Sequence, residues 1–148
     1  MENSILVALK GSMGSRTVVD YLIRMPLSRE DVQITLLHVS KRSLPGEEFM
    51  GETFTDDESS RFQAILEEAR ARLGENGFNP DKINIELVSE PYPTVAEGII
   101  ARFNKEKFDM VMIARRRKSK AEEFVLGDVS VKLVRALEGT AVLVVKSM

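Results

Sequence analysis

The densest chemistry in the chain is a run of cations, Arg115-Arg116-Arg117-Lys118 with Lys120, followed at a short distance by Gly127-Asp128. The apolar stretch Phe108-Asp109-Met110-Val111-Met112-Ile113 precedes it, and helix-forming sequence follows. A strand that leads through a cationic loop to a helix N-terminus can hold an anion: guanidinium groups grip phosphate oxygens bidentately, and unpaired backbone amides face the charge. The run from Arg115 to Lys120 therefore suggests phosphate, a nucleotide or nucleic acid as ligand. Against this stands a plainer reading, a solvated loop tip whose charges Glu122 and Glu123 balance, and charge runs of this kind favour it. The run carries no interleaved aromatic residue, which single-strand binders use for stacking, so nucleic acid is an unlikely partner.

Other reactive groups are sparse. The absence of cysteine excludes disulfides, thiolate metal sites and a cysteine nucleophile. His38 is the one histidine, which excludes a multi-histidine metal site, and it lies inside a strand-like run where a structural role is expected. Ser12 and Ser130 have no identifiable base beside them, and the seven methionines are scattered as core filling would be. No catalytic residue and no metal ligand is assigned. A formal net charge of −2 means that any basic site is local, not a property of the whole molecule.

The elements that must position these residues follow from periodicity. The 148 residues suit one domain, spanning 1–148, with 43% hydrophobic and 30% charged residues. Ile5–Leu9 reads as a strand buried on both faces. A turn from Lys10 to Ser15 follows, with Ser15 as N-cap of a helix carrying Val18, Val19, Leu22 and Ile23 and closed by Pro26. Val32–Val39 is a second strand. Ser40–Thr55, holding Pro45, Gly46 and Gly51, has no period and is expected to be a long mobile loop. A helix starts at Thr55-Asp56-Asp57-Glu58, presents Phe62, Ile65, Leu66, Ala69 and Leu73 on one face, and stops at Gly74. Ile83–Val88 is a third strand, Pro91-Tyr92-Pro93 an extended turn, and Thr94 the cap of a helix carrying Val95, Ile99, Ile100 and Phe103. Gly98 sits inside that helix and weakens it slightly. A strand at Met110–Ile113, the basic loop, a helix from about Asp128 to Leu137, a stop at Gly139 and a strand at Ala141–Val145 complete the chain. Strands alternating with helices predict an α/β fold: a doubly wound, Rossmann-like, five-stranded parallel sheet of order 3-2-1-4-5 with helices on both faces. Its ligand crevice belongs between the C-terminal ends of the first and fourth strands.

In this order the segments resemble the universal stress protein family. The resemblance spans Ile5-Leu6-Val7-Ala8-Leu9-Lys10-Gly11-Ser12, then Ile34-Thr35-Leu36-Leu37-His38-Val39, then Leu126-Gly127-Asp128-Val129-Ser130 and Ala141-Val142-Leu143-Val144-Val145. Members that bind ATP carry Gly-x-x-Gly, nine residues, then Gly-Ser/Thr, because glycines let backbone amides surround the phosphates. Here those positions are Ala114, Arg117, Gly127 and Asp128, so only Gly127 keeps the pattern. Lys10 stands where the ATP binders have Asp. Ala8, Val39, Val129 and Ser130 match further pocket positions, and Arg116 lies beside them in the basic loop. A carboxylate at Asp128 caps a helix but repels an incoming phosphate, and Lys10 is expected to pair with it.

The resemblance implies a non-catalytic stress-response protein with a degenerate nucleotide site and no required cofactor. It implies action as a homodimer through the edge strand Ala141, Val142, Leu143, Val144 and Val145 on protein partners that the sequence does not name. The alternative is an ATP–Mg²⁺ binder whose Lys10, Arg116 and Arg117 replace the lost amides. A third reading is an anion or nucleic-acid binder through Arg115–Lys120. No segment approaches the roughly 20 apolar residues of a membrane span, and Met1-Glu2-Asn3-Ser4 lacks the basic start of a signal peptide, so a cytoplasmic location is expected.

Overall fold

Short apolar runs rich in branched residues form the centre of this molecule because each buries both faces as a strand. The computed structural model describes residues 3–10, 12–41, 51–115 and 129–146. Within them the chain runs β1 (Asn3–Ala8), α1 (Ser12–Arg24), β2 (Val32–Lys41), α2 (Gly51–Glu75), a 3-10 turn (Pro80–Lys82), β3 (Ile83–Tyr92), α3 (Val95–Lys105), β4 (Met110–Arg115), α4 (Val129–Ala136) and β5 (Ala141–Lys146). The five strands form one sheet of order β3-β2-β1-β4-β5, and every neighbouring pair is parallel. This is the expected doubly wound α/β architecture.

Alternation along the strands divides the interior into two cores. Ile5 and Val7 of β1, Ile34 and Leu36 of β2 and Met112 of β4 join Val18, Val19 and Leu22 of α1 and Leu66, Ala69 and Leu73 of α2. Leu6, Leu37, Val39, Val111 and Ile113 point the other way, onto Ile99 and Phe103 of α3 and Leu133 of α4. Central side chains such as Leu6 are fully buried, and each such burial stabilises the fold by about 1.5–3 kcal/mol before entropy is counted. Surface ion pairs Arg16–Glu68, at 3.8 Å, and Arg72–Asp20 join α1 to α2; exposed pairs of this kind add about 0–1 kcal/mol.

The N-terminal ends of the strands are tied by polar groups. The Asp109 carboxylate accepts the Ser4 amide at 2.8 Å, the Asp109 amide donates to the Ser4 carbonyl at 2.9 Å, and the Asp109 carbonyl accepts the Ala141 amide at 3.1 Å. One residue thus aligns the starts of β1, β4 and β5.

Several boundaries differ from the sequence reading. α1 begins at Ser12, so Ser15 is a buried helical residue and not an N-cap. Of the loop expected over 40–55, residues 40 and 41 belong to β2, which ends at Lys41, and residues 51–55 to α2, which begins at Gly51; residues 42–50, with Phe49 and Met50, lie outside the described residues. α2 passes Gly74, and the reversal comes at Gly77, whose φ of 96° suits glycine. β3 extends through Pro91 to Tyr92, a place open to proline because the strand lies at the sheet edge. Thr94 caps α3 as expected, its hydroxyl oxygen accepting the Glu97 amide at 3.2 Å.

Candidate functional site

The crevice arises from unequal strand lengths. β1 ends at Ala8, level with Leu37 of β2 and Ile113 of β4. β2 continues to Lys41 and β4 to Arg115. The sheet therefore has a notch above β1, at the point where strand order reverses, and ligands of such sheets bind there. Leu9 closes the floor: its amide donates to the Leu37 carbonyl at 2.8 Å. Lys10 follows and is exposed.

Ala8, Val39 and Val129 share the α3/α4 side of the sheet, where all three contribute to the second core. Ser130 and Leu133 are the buried positions of α4. Ala8, Val39 and Val129 thus border one core, and Ser130 follows Val129 as a buried residue of α4.

Ala114 is placed differently. The sequence reading puts it at the start of a loop, but the residue belongs to β4, in register with Val145 of β5. Its side chain packs with the opposite core, on α1, where a Cβ built on Gly14 would lie 3.4 Å from the Ala114 Cβ. Arg115 is also in β4, level with Lys146 of β5. Hence the basic run starts inside the sheet, because pairing with β5 extends β4 beyond its apolar segment. Arg116, Arg117, Gly127 and Asp128 lie outside the described residues, as does the expected Lys10–Asp128 pair.

Two packing contacts escaped the sequence reading. Gly98 is a packing requirement and not a mere weakness of α3. A Cβ there would overlap Cγ1 of Val39 and lie 3.0 Å from its Cγ2 and 3.1 Å from Cδ2 of Tyr92. The bare glycine lets α3 settle on the end of β2, and a glycine within a helical period was the only available signal. The second is His38, buried with its Nδ1 3.1 Å from the Leu9 carbonyl oxygen and its ring stacked on Phe62, centroids 3.6 Å apart. No sequence spacing links His38 to Phe62.

Away from the crevice, an open groove between β3 and α3 is lined by Glu86, Val88, Tyr92 and Arg102 among others. Two of its charged groups, Glu86 and Arg102, satisfy each other. Arg102 donates to Glu86 through Nε at 2.6 Å and Nη2 at 3.1 Å. The hydrogen-bonded Glu86 carboxylate raises the Arg102 guanidinium above its ordinary pKa, so Arg102 stays charged.

A doubly wound parallel sheet with a crevice at its switch point defines a Rossmann-like α/β domain. The chain matches the model of the Universal stress protein family over residues 1–146, and it belongs to that family. Among solved structures it is similar to hypothetical protein MJ0577, with a TM-score of 0.76 and 22% identity, covering 100% of this chain and 98% of that one. The universal stress protein from Archaeoglobus fulgidus gives 0.69 and 17%, covering 99% and 100%. A universal stress protein family protein from Arabidopsis thaliana, solved with AMP bound, gives 0.67 and 17%, covering 99% and 92%. These likenesses establish the fold. Comparison with the curated proteins finds no match. Among the described residues, no helix is long and apolar enough to cross a membrane.

Proposed function

We propose that this chain is a non-catalytic stress-response regulator of the cytoplasm that acts as a homodimer through β5, with a nucleotide site that has lost most of its phosphate chemistry. The observation that carries the reading is the character of the β5 edge. Ala141-Val142-Leu143-Val144-Val145 presents no charge before Lys146, and Val142, Leu143 and Val144 are only half-buried. An apolar edge left open favours pairing with a second strand. On the nucleotide side, three of four phosphate-loop positions differ from the ATP-binding pattern, at Ala114, Arg117 and Asp128, and no cofactor is required in this reading.

A second reading has its own support: the relative from Arabidopsis thaliana was solved with AMP bound. In that reading Lys10, Arg116 and Arg117 hold ATP–Mg²⁺ in place of backbone amides, beside Ala8, Val39, Gly127, Val129 and Ser130. A thermal shift titration with ATP and Mg²⁺ separates the two. Ligand at 100 times its dissociation constant stabilises a protein by about 2.7 kcal/mol. The first reading expects no shift at millimolar ATP; a saturable shift refutes it in favour of the second. Binding of RNA or polyphosphate that collapses on raising salt would instead favour an anion site at Arg115–Lys120.

A further inference from the structure

His38 is the one buried imidazole, and the fold explains its neighbours but not its chemistry. Of the other buried positions of β2, Ile34, Leu36, Leu37 and Val39 are aliphatic and Thr35 carries a small hydroxyl. At His38 the sheet instead places a hydrogen-bonding ring, in register with Leu87 of β3. Two contacts of the ring lie on different elements. Nδ1 lies 3.1 Å from the carbonyl oxygen of Leu9. A carbonyl only accepts, so Nδ1 carries the proton and donates it. The ring also stacks on Phe62 of α2, with 3.6 Å between centroids and 14° between planes. Beyond it the Arg61 guanidinium stands 5.0 Å from the Phe62 centroid.

Leu9 is the last residue before Lys10, where β1 enters the crevice. Its amide is held by Leu37 and its carbonyl by His38, so β2 grips the turn from both sides, once through the backbone and once through a side chain. We propose that His38 is a positioning residue that couples α2 to the turn carrying Lys10, so that the packing of Phe62 and the geometry of the crevice entrance change together. The coupling is reciprocal: whatever occupies the crevice against Lys10 biases α2, and whatever binds α2 biases Lys10. This consequence rests on the crevice being a ligand site, whereas the link itself is a property of the ligand-free chain.

Amide hydrogen exchange on the full chain, followed by NMR, tests the link. His38→Leu removes the donor, and Leu9 should exchange about tenfold faster relative to the core amides of Leu6 and Val111. Phe62→Leu keeps the imidazole and an apolar side chain on α2, and should still speed Leu9 and Lys10 several-fold relative to the same core amides. His38→Gln restores an N–H donor and should return Leu9 toward wild-type exchange while leaving it insensitive to Phe62→Leu. Uniform acceleration of all amides would reduce His38 to ordinary core packing, and unchanged exchange at Leu9 and Lys10 in Phe62→Leu would break the proposed link; either result overturns it. Should His38→Leu not fold, wild-type ¹⁵N shifts decide whether neutral His38 is the Nδ1–H tautomer, and the Nε2–H tautomer overturns the proposal. With ATP–Mg²⁺ as probe, failure to bind refutes the ATP reading alone. Binding that slows Leu9 in wild type but leaves α2 around Phe62 unchanged overturns the coupling.

Discussion

The two edges of the sheet are built on opposite plans. β3 closes one side with ten residues, Ile83–Tyr92, and carries Asn84, Glu86 and Pro91. Glu86 is locked to Arg102 of α3, and the pairing with β2 shifts register between Val39 and Lys41. β5 closes the other side with six residues, Ala141–Lys146, five of them aliphatic and none irregular in register with β4. Beside it α4 exposes Val131 and Val134, at 46% and 63%, and α4 packs on β5. Charge, proline and register breaks are devices that stop a sheet edge from recruiting another strand. The chain places them along β3, whereas β5 carries none before Lys146. The difference shows which edge is available, and it is the physical support for the proposed homodimer.

The comparison is broken most sharply by moving charge onto the bare edge. In a two-fold dimer every substitution acts twice. Ala141→Lys together with Val144→Lys should therefore weaken self-association on the order of 100-fold through like-charge contact, with the half-exposed lysine stems lying along the sheet surface. Analytical ultracentrifugation over a dilution series reads the change.

A smaller effect is expected on the guarded side. Gly98→Ala forces a methyl group into Val39 and Tyr92. Overpacking of this kind costs about 1–3 kcal/mol, so urea unfolding should shift to lower midpoint while the dimer mass, set at the far edge, stays unchanged. A loss of self-association in Gly98→Ala would mean that the two edges are not independent.

The smallest change in monomer stability is expected for Glu86→Val combined with Arg102→Leu. Replacing a partly buried ion pair by apolar residues is often close to neutral. Its value lies in what it does to the edge: β3 would lose the Glu86 charge while keeping Glu90 and Pro91. If the Glu86–Arg102 pair is the main guard, the variant should grow beyond a dimer, since contacts that do not close propagate. Sedimentation of the double variant as the same species as wild type would show that the Glu86–Arg102 pair is not what guards β3.

The topology was legible because five apolar runs alternate with amphipathic stretches, and alternation permits few arrangements. Leu6, Leu37 and Val111 lie buried in the sheet, and Leu66, Leu73, Ile99 and Phe103 on inner helix faces, as their spacing required. Boundaries were less legible where tertiary pairing overrides local pattern. Ala114 and Arg115 read as loop because Arg115 opens a cationic run, but β5 offers them partners and they remain strand. Ser15 read as a cap by its type, although the helix had already begun at Ser12. The crevice at the ends of β1 and β4 followed from strand order, and Ala8, Val39 and Val129 border one core. The direction of Ala114 toward α1 depends on strand phase at the end of β4, which composition does not encode. The contacts of His38 with Leu9 and Phe62 join residues far apart in sequence and left no local signal.

The account turns on whether β5 recruits a second copy. Static light scattering on the wild-type chain, purified without added ligand and measured across a dilution series at working concentration, tests this directly. The account expects twice the chain mass of 16.6 kDa, falling to the single-chain mass when Ala141 and Val144 carry lysine. A wild-type mass of 16.6 kDa throughout would contradict it.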